Sequence, residues 1–351
     1  MKQCDQQITV IAPNLKYRLS GVTSSIIHLV PLQAKKIKIV SFGFGLPEFV
    51  PQIGWKTLFK LEKCPHPPNK YRIWHARRNV EMLLGVFLKY VLRKKYRLIF
   101  TSASQRKHTR WTKFLIRQMD HVIATSEMSK SYLKVPADVI PHGVDTQKFS
   151  PIKDKFHVKQ QLGLPDGELI GCVGRIRKLK GTDIFVDAMI KLLPDHPDWY
   201  GLVLGRATLV HQIFQYKLMR KIDKAGLRKR IIFIDEVPAD QVVKWYQSLS
   251  LFVAPQRWEG YGLTPLEAMA CGVPVIVTKT GAFPEFLYKD MTGYLVESGD
   301  SDAIVEKISM LITNPSLMKK FSKACRKRVI NKFDQSIEAD KLLEIYQKNL
   351  M

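Results

Sequence analysis

Two glutamates eight positions apart, Glu259 and Glu267, stand in the most informative stretch of the sequence. Glu259 lies in a Gly-containing loop that follows an apolar, strand-like run over 251–254. Glu267 falls within a predicted helix that Thr264 caps and Pro265 begins, because proline at the first helical position loses no needed N–H. The N–H groups and the dipole of such a helix start bind anions, and nearby carboxylates can hold hydroxyl groups. An anion flanked by hydroxyls indicates a sugar nucleotide, although an ordinary capped helix with two solvated glutamates has the same pattern.

Two cations, Arg175 and Lys180, stand between Gly174 and Gly181, where a predicted strand ends and a helix begins. Cations at a helix start oppose the helix dipole unless an anion binds there. Arginine can grip two oxygens at once, whereas lysine supplies a compact charge. The pattern therefore favours a bound anion over a solvated basic helix start.

The elements that must position these residues alternate between short apolar strands and helices. Strands are predicted near 8–12, 37–41, 55–60, 72–76, 97–101, 121–125, 139–143, 169–174, 200–204, 231–234, 251–254, 275–278 and 293–296. Helices are predicted near 22–36, 79–95, 109–119, 182–193, 211–225, 240–248, 302–312 and 315–351. This alternation predicts an α/β protein whose parallel sheets are covered on both faces. The length of 351 residues suggests two domains, predicted at 1–150 and 151–330, followed by a C-terminal helix over 331–351.

Positive charge is concentrated in the first half of the chain. The net charge is +25, of which residues 1–150 carry +18 and the remainder +7. A generally basic proteome would raise both halves alike. The asymmetry implies a polyanionic partner for the first half: an anionic membrane face, an acidic lipid or glycolipid, or a nucleic acid.

Five scattered cysteines form no Cys-x-x-Cys pair and no zinc spacing; they are Cys4, Cys64, Cys172, Cys271 and Cys325. Reduced thiols in a cytosolic setting are therefore expected, with no metal site. The first residues lack the apolar segment of a signal peptide. The longest apolar stretch, 82–92, is broken by Lys89 and is too short to span a bilayer. The sequence predicts a soluble or peripheral protein.

The run 259–274 resembles the E-x7-E element of retaining GT-B glycosyltransferases, the GT4-like or group 1 family. The segment 174–181 resembles the family's G-R-x-x-x-x-K-G element, and 141–149 resembles its linker, with His142 in place of the usual Asn. The resemblance implies two Rossmann-like, doubly wound parallel-sheet domains that face a cleft. It also implies that the C-terminal helix crosses back to pack on the N-terminal, acceptor-binding domain, while the second domain binds the nucleotide sugar.

The same resemblance assigns three catalytic residues, Glu259, Arg175 and Lys180. The two cations would bind the donor diphosphate, and fixed cations aimed at a leaving group stabilise its growing charge. Glu259 would hold the donor sugar hydroxyls and Glu267 the ribose. Further donor contacts are expected from Tyr261, Gly262, Leu263, Thr264, Gly205 and Val237. The glycine loop 20–24 is expected to add contacts from Gly21, Val22 and Thr23. The sequence of this loop is equally typical of a plain turn between a strand and a helix.

Polar residues at two strand ends of the first domain are expected to contact the acceptor, because ligands collect at strand ends in open α/β sheets. These residues are His75, Arg77, Arg78, Ser102, Arg106 and His108. Ser102 stands where many members of the family have a histidine. For each residue alone, a solvated loop position is the alternative.

The stretches 72–85 and 257–265 resemble a narrower branch, the lipopolysaccharide core mannosyltransferases of alphaproteobacteria. That resemblance implies front-face, retaining transfer of mannose from GDP-mannose to the Kdo region of a lipid A precursor, without a metal cofactor. The enzyme would be cytoplasmic and peripheral on the inner membrane. The basic patches expected to face the acceptor and the membrane comprise Arg93, Lys94, Lys95, Arg97, Arg106, Lys107, Arg110, Lys113 and Arg117.

The sequence is also compatible with other classes of function. Within enzymes, the alternative is a hexosyltransferase that uses a UDP-sugar on another anionic glycolipid. A non-catalytic sugar-nucleotide-binding protein is disfavoured by the complete set Arg175, Lys180, Glu259 and Glu267. A nucleic-acid-binding protein is suggested by charge alone and lacks a recognisable RNA or DNA module. A glycosidase needs carboxylates opposed across the sugar, whereas the nearby cations favour a nucleotide donor.

Overall fold

The structure is a computed structural model that describes residues 7–17, 21–63, 68–288 and 290–351. The N-terminal residues 1–6 and the predictions for Cys4, Ser20 and Cys64 lie outside the described residues. The chain forms two compact units: unit 1 comprises Met1–Gly143 with Gln335–Met351, and unit 2 comprises Val144–Asp334. The chain thus leaves unit 1 before the predicted boundary at 150 and returns to it after the predicted boundary at 330.

Unit 1 contains a parallel seven-stranded sheet of order β3-β2-β1-β4-β5-β6-β7. Its strands are β1 Val10–Asn14, β2 Ile39–Gly43, β3 Gln52–Ile53, β4 Arg72–Ala76, β5 Tyr96–Ser102, β6 His121–Ala124 and β7 Asp138–Val139. Its first helices are α1 Gly21–Ala34, α2 Trp55–Lys60, α3 Asn79–Val86 with a π-helical continuation Phe87–Val91, α4 Arg110–Arg117 and α5 Glu127–Ser131. β1 and β4 are buried along their whole length, which explains why neither alternates regularly between apolar and polar residues.

The segment 55–60 was predicted as a strand and is the helix α2. Trp55 and Phe59 stack on its exposed side with their rings 6.0 Å apart, while Leu58 is buried. Trp55, Leu58 and Phe59 stand at spacings of three and four residues, which are typical of a helix and not of an alternating strand. Gly54 precedes the helix in extended conformation and contributes no side-chain cap.

Unit 2 contains a parallel six-stranded sheet of order β10-β9-β8-β11-β12-β13. Its strands are β8 Glu168–Val173, β9 Trp199–Leu204, β10 Ile231–Ile234, β11 Leu251–Ala254, β12 Val275–Thr278 and β13 Gly293–Val296. Its helices are α6 Lys155–Gln161, α7 Thr182–Leu192, α8 Gln212–Lys224, α9 Val242–Ser248, α10 Thr264–Ala270, α11 Phe283–Phe286, α12 Ser301–Ile312 and α13 Pro315–Lys332, with 3-10 turns at Lys178–Lys180, Leu193–Asp195 and Leu209–His211. Apolar clusters lie on both faces of this sheet. The two parallel sheets confirm the predicted α/β class.

The last helix, α14 Gln335–Leu350, packs against α1 in unit 1. Its buried side chains join a cluster with Ile26, Leu29 and Val30 of α1; they are Ala339, Leu342, Leu343, Ile345, Tyr346 and Leu350. The Glu338 carboxylate accepts hydrogen bonds from Gly143 N at 2.8 Å and pairs with His142 Nδ1 at 2.7 Å. The helix is therefore held by apolar packing and by a polar anchor at the point where the chain leaves unit 1.

Candidate active site

The strand order of each sheet shows where a ligand site is expected. Ligands of open parallel sheets bind at the carboxyl ends of the strands, where the winding reverses direction. In unit 2 the reversal falls between β8 and β11, and in unit 1 it falls between β1 and β4. The loops after these strands contain Arg175, Glu259 and Arg78, so these three predicted site residues lie at the reversal points of their units.

The loop after β8 in unit 2 depends on a close backbone approach. A Cβ at Gly205, which has φ +146°, would lie 2.1 Å from the carbonyl oxygen of Gly174. Only glycine fits there, and the contact places Arg175 beside the ends of β9 and β10. A cavity of about 220 Å³ opens here and is lined by Val173, Gly174, Arg175, Leu204, Gly205, Arg206, Glu236, Val237 and Val242. The predicted donor contacts Gly205 and Val237 thus share one cavity with Arg175, a candidate for binding the diphosphate.

Lys180 and Glu259, 79 positions apart in the chain, form an ion pair. Their side chains are 21% and 15% exposed, so the pair is accessible but largely shielded from water. The other Glu259 oxygen accepts from Gly260 N at 3.0 Å. The structure therefore brings together a cation and an acid that the sequence had assigned to different parts of a sugar nucleotide.

Arg257 ties the two loops together, a role that the sequence analysis did not assign. Its guanidinium donates to both oxygens of Asp183 at 2.7 and 2.9 Å and to the Lys178 carbonyl at 2.7 Å. The Leu179 carbonyl in turn accepts from the backbone N–H of Arg257 at 2.9 Å. Bidentate arginine–carboxylate pairs fix geometry as well as charge. The pair thus fixes the loop that contains Glu259 against the turn that contains Lys180.

Glu267 accepts a hydrogen bond from the buried hydroxyl of Tyr246 at 2.6 Å. Burial raises the pKa of the Glu267 carboxyl, whereas the Tyr246 hydrogen bond and the Lys148 ammonium lower it. Burial and the neighbouring Glu267 charge raise the pKa of Tyr246 well above its usual value. Tyr246 was missed because it lies in α9, outside every recognisable motif.

The loop before α10 corrects two local predictions. Thr264 is the first residue of the helix, not its cap: Leu263 occupies the N-cap with a helical backbone and without a side-chain hydrogen bond. Packing fixes the loop instead, since Gly262 has φ +85° and a Cβ there would lie 2.4 Å from the Phe283 ring. Tyr261 is buried edge-on against Phe286 at 5.1 Å. The Tyr261 ring therefore packs in the core, although it was predicted to contact the donor.

Unit 1 has its own cavity, of about 590 Å³, at the carboxyl ends of β4 and β5. It is lined by Lys16, Val22, Arg77, Arg78, Asn79, Val80, Phe100, Ser102, Ala103, Ser104, Arg106, Lys107, His108, Thr109 and Thr112. Five predicted acceptor residues share this wall, together with Val22, which had been assigned to the donor. Gly21 begins α1, and Thr23 is buried behind the wall. The cavity contains several cations, so it suits an anionic ligand.

A buried network holds Arg78 in this wall. Its guanidinium donates to Asn14 Oδ1 at 2.7 Å, to Glu81 Oε1 at 2.8 Å and to Thr23 Oγ1 at 3.0 Å. The second Glu81 oxygen accepts from Arg77 N at 2.8 Å. Asn14 and Glu81 are fully buried and were not assigned a role from the sequence. They give both arginines a fixed position.

His108 lines the cavity and has a buried polar atom. Within the part of the chain that the structure describes, its Nε2 is buried and has no hydrogen-bond partner. Burial, with help from Arg106 and Lys113, lowers the pKa of His108. A neutral imidazole that lines a cationic cavity can donate to or accept from a ligand hydroxyl.

His75 and Lys94 do not lie where the predictions placed them. His75 is fully buried and bonds Tyr346 through Nδ1 at 2.6 Å and Thr101 through Nε2 at 2.7 Å, so it supports the fold instead of contacting an acceptor. Burial, followed by Arg77, lowers its pKa well below 6.5. The Lys94 ammonium is buried against three carbonyls, those of Leu58, Phe59 and Leu61.

The remaining predicted basic residues lie at opposite ends of strand β5 in unit 1. The segment 93–97 lies at the start of β5, whereas the segment 106–117 follows the end of that strand. Only the second group lies at the carboxyl end of β5, where the cavity opens, so the two basic patches do not form one surface around the cavity.

Over the described ranges, no group of three or more His, Cys, Asp or Glu side chains could hold a metal ion. The Asp-x-Asp sequence at 300–302 serves the fold: Asp300 caps α12 by accepting from Ala303 N at 2.8 Å, and Asp302 pairs with Lys191. Within the same ranges, no helix is long and apolar enough to cross a bilayer.

Comparison with known proteins gives consistent results for both units. The family described as Glycosyl transferases group 1 matches residues 154–328. The chain is 52% identical to "Lipopolysaccharide core biosynthesis mannosyltransferase LpsB" of Rhizobium meliloti over 86% of each chain. It is 44% identical to "Lipopolysaccharide core biosynthesis mannosyltransferase LpcC" of Rhizobium leguminosarum over 98% of this chain and 97% of the other. The crystal structure of Anabaena HepE in complex with UDP covers 97% of this chain and all of that one, with a TM-score of 0.84 at 18% identity, a likeness of fold alone.

Proposed function

The chain belongs to the glycosyl transferases group 1 family, and from that premise we propose that it transfers mannose from GDP-mannose to the Kdo region of a lipid A precursor. The observation that carries this proposal is the 52% identity, over 86% of both chains, to a relative named as a lipopolysaccharide core mannosyltransferase. The enzyme would be cytoplasmic and peripheral on the inner membrane, where a lipid-borne acceptor is present. The site geometry supports the assignment of a separate task to each unit.

Unit 2 would bind the donor through Arg175 and Lys180. The donor diphosphate competes with the Glu259 carboxylate for the Lys180 ammonium, because one cation cannot fully neutralise both anions. Once the diphosphate takes Lys180, the Glu259 oxygens accept hydrogen bonds from the sugar hydroxyls. Glu267, held by Tyr246, accepts from the ribose. The nucleobase would enter the cavity beside Gly205 and Val237.

Transfer would proceed on one face of the sugar. The bond between C1 of mannose and the phosphate oxygen breaks, and its electron pair leaves with the diphosphate. The acceptor hydroxyl oxygen forms the new bond to C1 on the same face, and its proton passes to the departing phosphate. Arg175 and Lys180 stabilise the charge that develops on the diphosphate, which is typically the largest catalytic contribution. No step requires a metal ion, and the two cations fill that electrostatic role.

Unit 1 would bind the acceptor in its cationic cavity. Kdo contributes a carboxylate and lipid A contributes phosphates, and both anions suit a wall that contains Arg77, Arg78 and Arg106. The buried Glu81 and Asn14 hold Arg78 in place. His108 and Ser102 can hydrogen-bond the hydroxyls of the acceptor sugar.

Purified protein should be assayed with GDP-mannose, UDP-glucose and UDP-GlcNAc on Kdo-lipid A, with and without EDTA. We expect a mannosylated product from GDP-mannose alone and the same rate in EDTA. Transfer from a UDP-sugar but not from GDP-mannose would refute the donor assignment. Loss of activity in EDTA, with recovery on adding a divalent cation, would refute metal independence.

A further inference from the structure

The helical segment after β4 has an outer face unlike that of a water-exposed helix. In residues 79–91, formed by α3 and its π-helical continuation, each exposed side chain is apolar or aromatic. These side chains are Val80, Leu83, Phe87, Tyr90 and Val91, between 39% and 64% exposed. A helix on the surface of a soluble protein normally has charged and polar side chains on its solvent side. The pattern indicates that this face contacts something other than water.

Helix α4 extends the same surface. Asn79 Nδ2 donates to Thr112 Oγ1 at 2.8 Å and joins the start of α3 to α4. The exposed Trp111 and Phe114 rings stack 5.7 Å apart, and Arg110 and Arg117 flank them. We call this surface the α3–α4 face, defined by Val80, Leu83, Phe87, Tyr90, Val91, Arg110, Trp111, Phe114 and Arg117.

The chemistry of the α3–α4 face selects one class of partner. Tryptophan and tyrosine settle at the boundary between a bilayer and water, and arginine attracts anionic headgroups. The two helical segments have no exposed acidic residue that could pair with the arginines of a second copy, because Glu81 is buried and α4 contains no acidic residue. A symmetric contact would therefore bury Arg110 and Arg117 of both copies without an acidic partner from these helices, an unfavourable arrangement. Charge and aromatic content together favour an anionic lipid surface.

We propose that the α3–α4 face inserts its apolar side chains into the headgroup region of an anionic bilayer. The proposal rests on the proposed function in one respect, since the acceptor assigned there is a membrane lipid. Asn79, Val80 and Thr112 belong to these two helices and also line the cavity of unit 1. Insertion would therefore set the cationic cavity at the depth of lipid headgroups, where an acceptor can enter it without leaving the membrane.

The test is sedimentation of the full chain with vesicles of phosphatidylcholine, alone or mixed with phosphatidylglycerol, without donor or acceptor. Two variants alter exposed residues outside the cavity wall, Leu83→Gln/Phe87→Gln and Trp111→Gln/Phe114→Gln. A matched control, Leu209→Gln/Val210→Gln, alters two residues of unit 2 that are each 83% exposed. We expect wild type and the control to bind the anionic vesicles and each α3–α4 variant to bind them about tenfold more weakly or worse.

Three results would overturn the proposal. The α3–α4 variants could bind vesicles as wild type does. Binding could vanish in high salt and yet be insensitive to both variants, which would show attraction by surface charge alone. Light scattering could show that the chain dimerises without vesicles and that Leu83→Gln/Phe87→Gln makes it monomeric, which would assign the face to a second copy.

A second readout separates this proposal from the proposed function. With a deacylated, water-soluble Kdo acceptor and GDP-mannose, the α3–α4 variants should retain wild-type turnover within about twofold, because no residue of the site is altered. If wild type itself transfers no mannose to this acceptor or to Kdo-lipid A, the proposed function is wrong, while the vesicle result still decides the α3–α4 face. If the variants lose turnover on the soluble acceptor, the face acts on the site directly and the membrane proposal is wrong.

Discussion

At the scale of single residues, the Lys180–Glu259 ion pair leads to a first prediction. Lys180→Ala and Arg175→Ala should each lower turnover about 100- to 1,000-fold, because in the proposed mechanism each variant lacks a fixed cation that stabilises the developing diphosphate charge. Lys178→Ala is the matched control: this lysine lies in the same turn, is exposed, and should leave turnover nearly unchanged. Steady-state rates with GDP-mannose test the prediction. Near-wild-type rates in both variants would remove the two cations from the diphosphate site.

The hydrogen bond between Tyr246 and Glu267 leads to a second prediction, about pH. Burial raises the Glu267 pKa, so the carboxylate that we propose accepts from the ribose is lost as pH falls through that raised value. The donor KM should therefore rise as pH falls. Tyr246→Phe removes a hydrogen bond that lowers the Glu267 pKa, so in this variant the KM should begin to rise at a higher pH.

The control for this experiment is Tyr294→Phe, which removes another hydroxyl from unit 2. Tyr294 packs against Phe321 and has no contact with Glu267. Its pH profile should match that of wild type. An unchanged profile in Tyr246→Phe would show that Glu267 does not titrate in the range where donor binding is measured.

At the scale of elements, the Arg257–Asp183 pair couples α7 to the loop after β11. Arg257→Lys should lower kcat about 10- to 100-fold, because lysine cannot reproduce the bidentate contact and small displacements of catalytic groups are costly. Lys221→Ala, which breaks an exposed ion pair with Asp187 in the same unit, should have no such effect. A double-mutant cycle with Asp183→Asn measures the coupling. Additive effects of the two substitutions would show that the pair does not position the loops.

Most elements could be predicted from the sequence because most strands are short, mainly apolar runs that end at a polar or Gly-containing loop. The exceptions have local physical reasons. In α2 the apolar residues Trp55, Leu58 and Phe59 have the i, i+3, i+4 spacing of a helix, and Leu58 is the member that packs into the core, so the strand prediction was wrong. At Thr264 the expected side-chain cap is absent because packing around Gly262 already sets the backbone.

At the scale of the whole molecule, the C-terminal helix leads to a stability prediction. A chain that ends at Asp334 lacks α14, whose buried Leu342, Leu343, Ile345, Tyr346 and Leu350 complete the core of unit 1. Each buried side chain contributes roughly 1.5–3 kcal/mol, so their sum rivals the total stability of a domain, about 5–15 kcal/mol.

The truncated chain should therefore lose the folding of unit 1, while unit 2 retains cooperative melting. Limited proteolysis and calorimetry would distinguish the two units. Deletion of Met351 alone, which is 75% exposed, should leave both units intact. A truncated chain that melts as wild type does would show that α14 is dispensable for unit 1.

The candidate site was only partly predictable. Its motifs are short and continuous in the sequence, whereas the residues that hold the motif residues in place are distant in the chain. Glu259, Glu267, Arg175 and Lys180 stand in recognisable short patterns, and the strand order places them at one reversal point. Their supports are distant in the chain: Arg257 and Asp183 are 74 positions apart, and Arg78 and Asn14 are 64 apart. His75 was wrongly predicted to contact a ligand because it lies near a strand end. In the structure it is fully buried, which the sequence pattern did not indicate.

The connectivity of the two units determines the order in which they can fold during synthesis. Unit 2 is an insertion in unit 1, since the chain leaves unit 1 at Gly143 and returns at Gln335. The ribosome therefore finishes every residue of unit 2 before it makes α14. Until then, Ile26, Leu29 and Val30 of α1 lack the helix that covers them. Unit 1 therefore cannot complete its core until synthesis of the chain ends, and it leaves apolar surface exposed until then, whereas unit 2 can fold first.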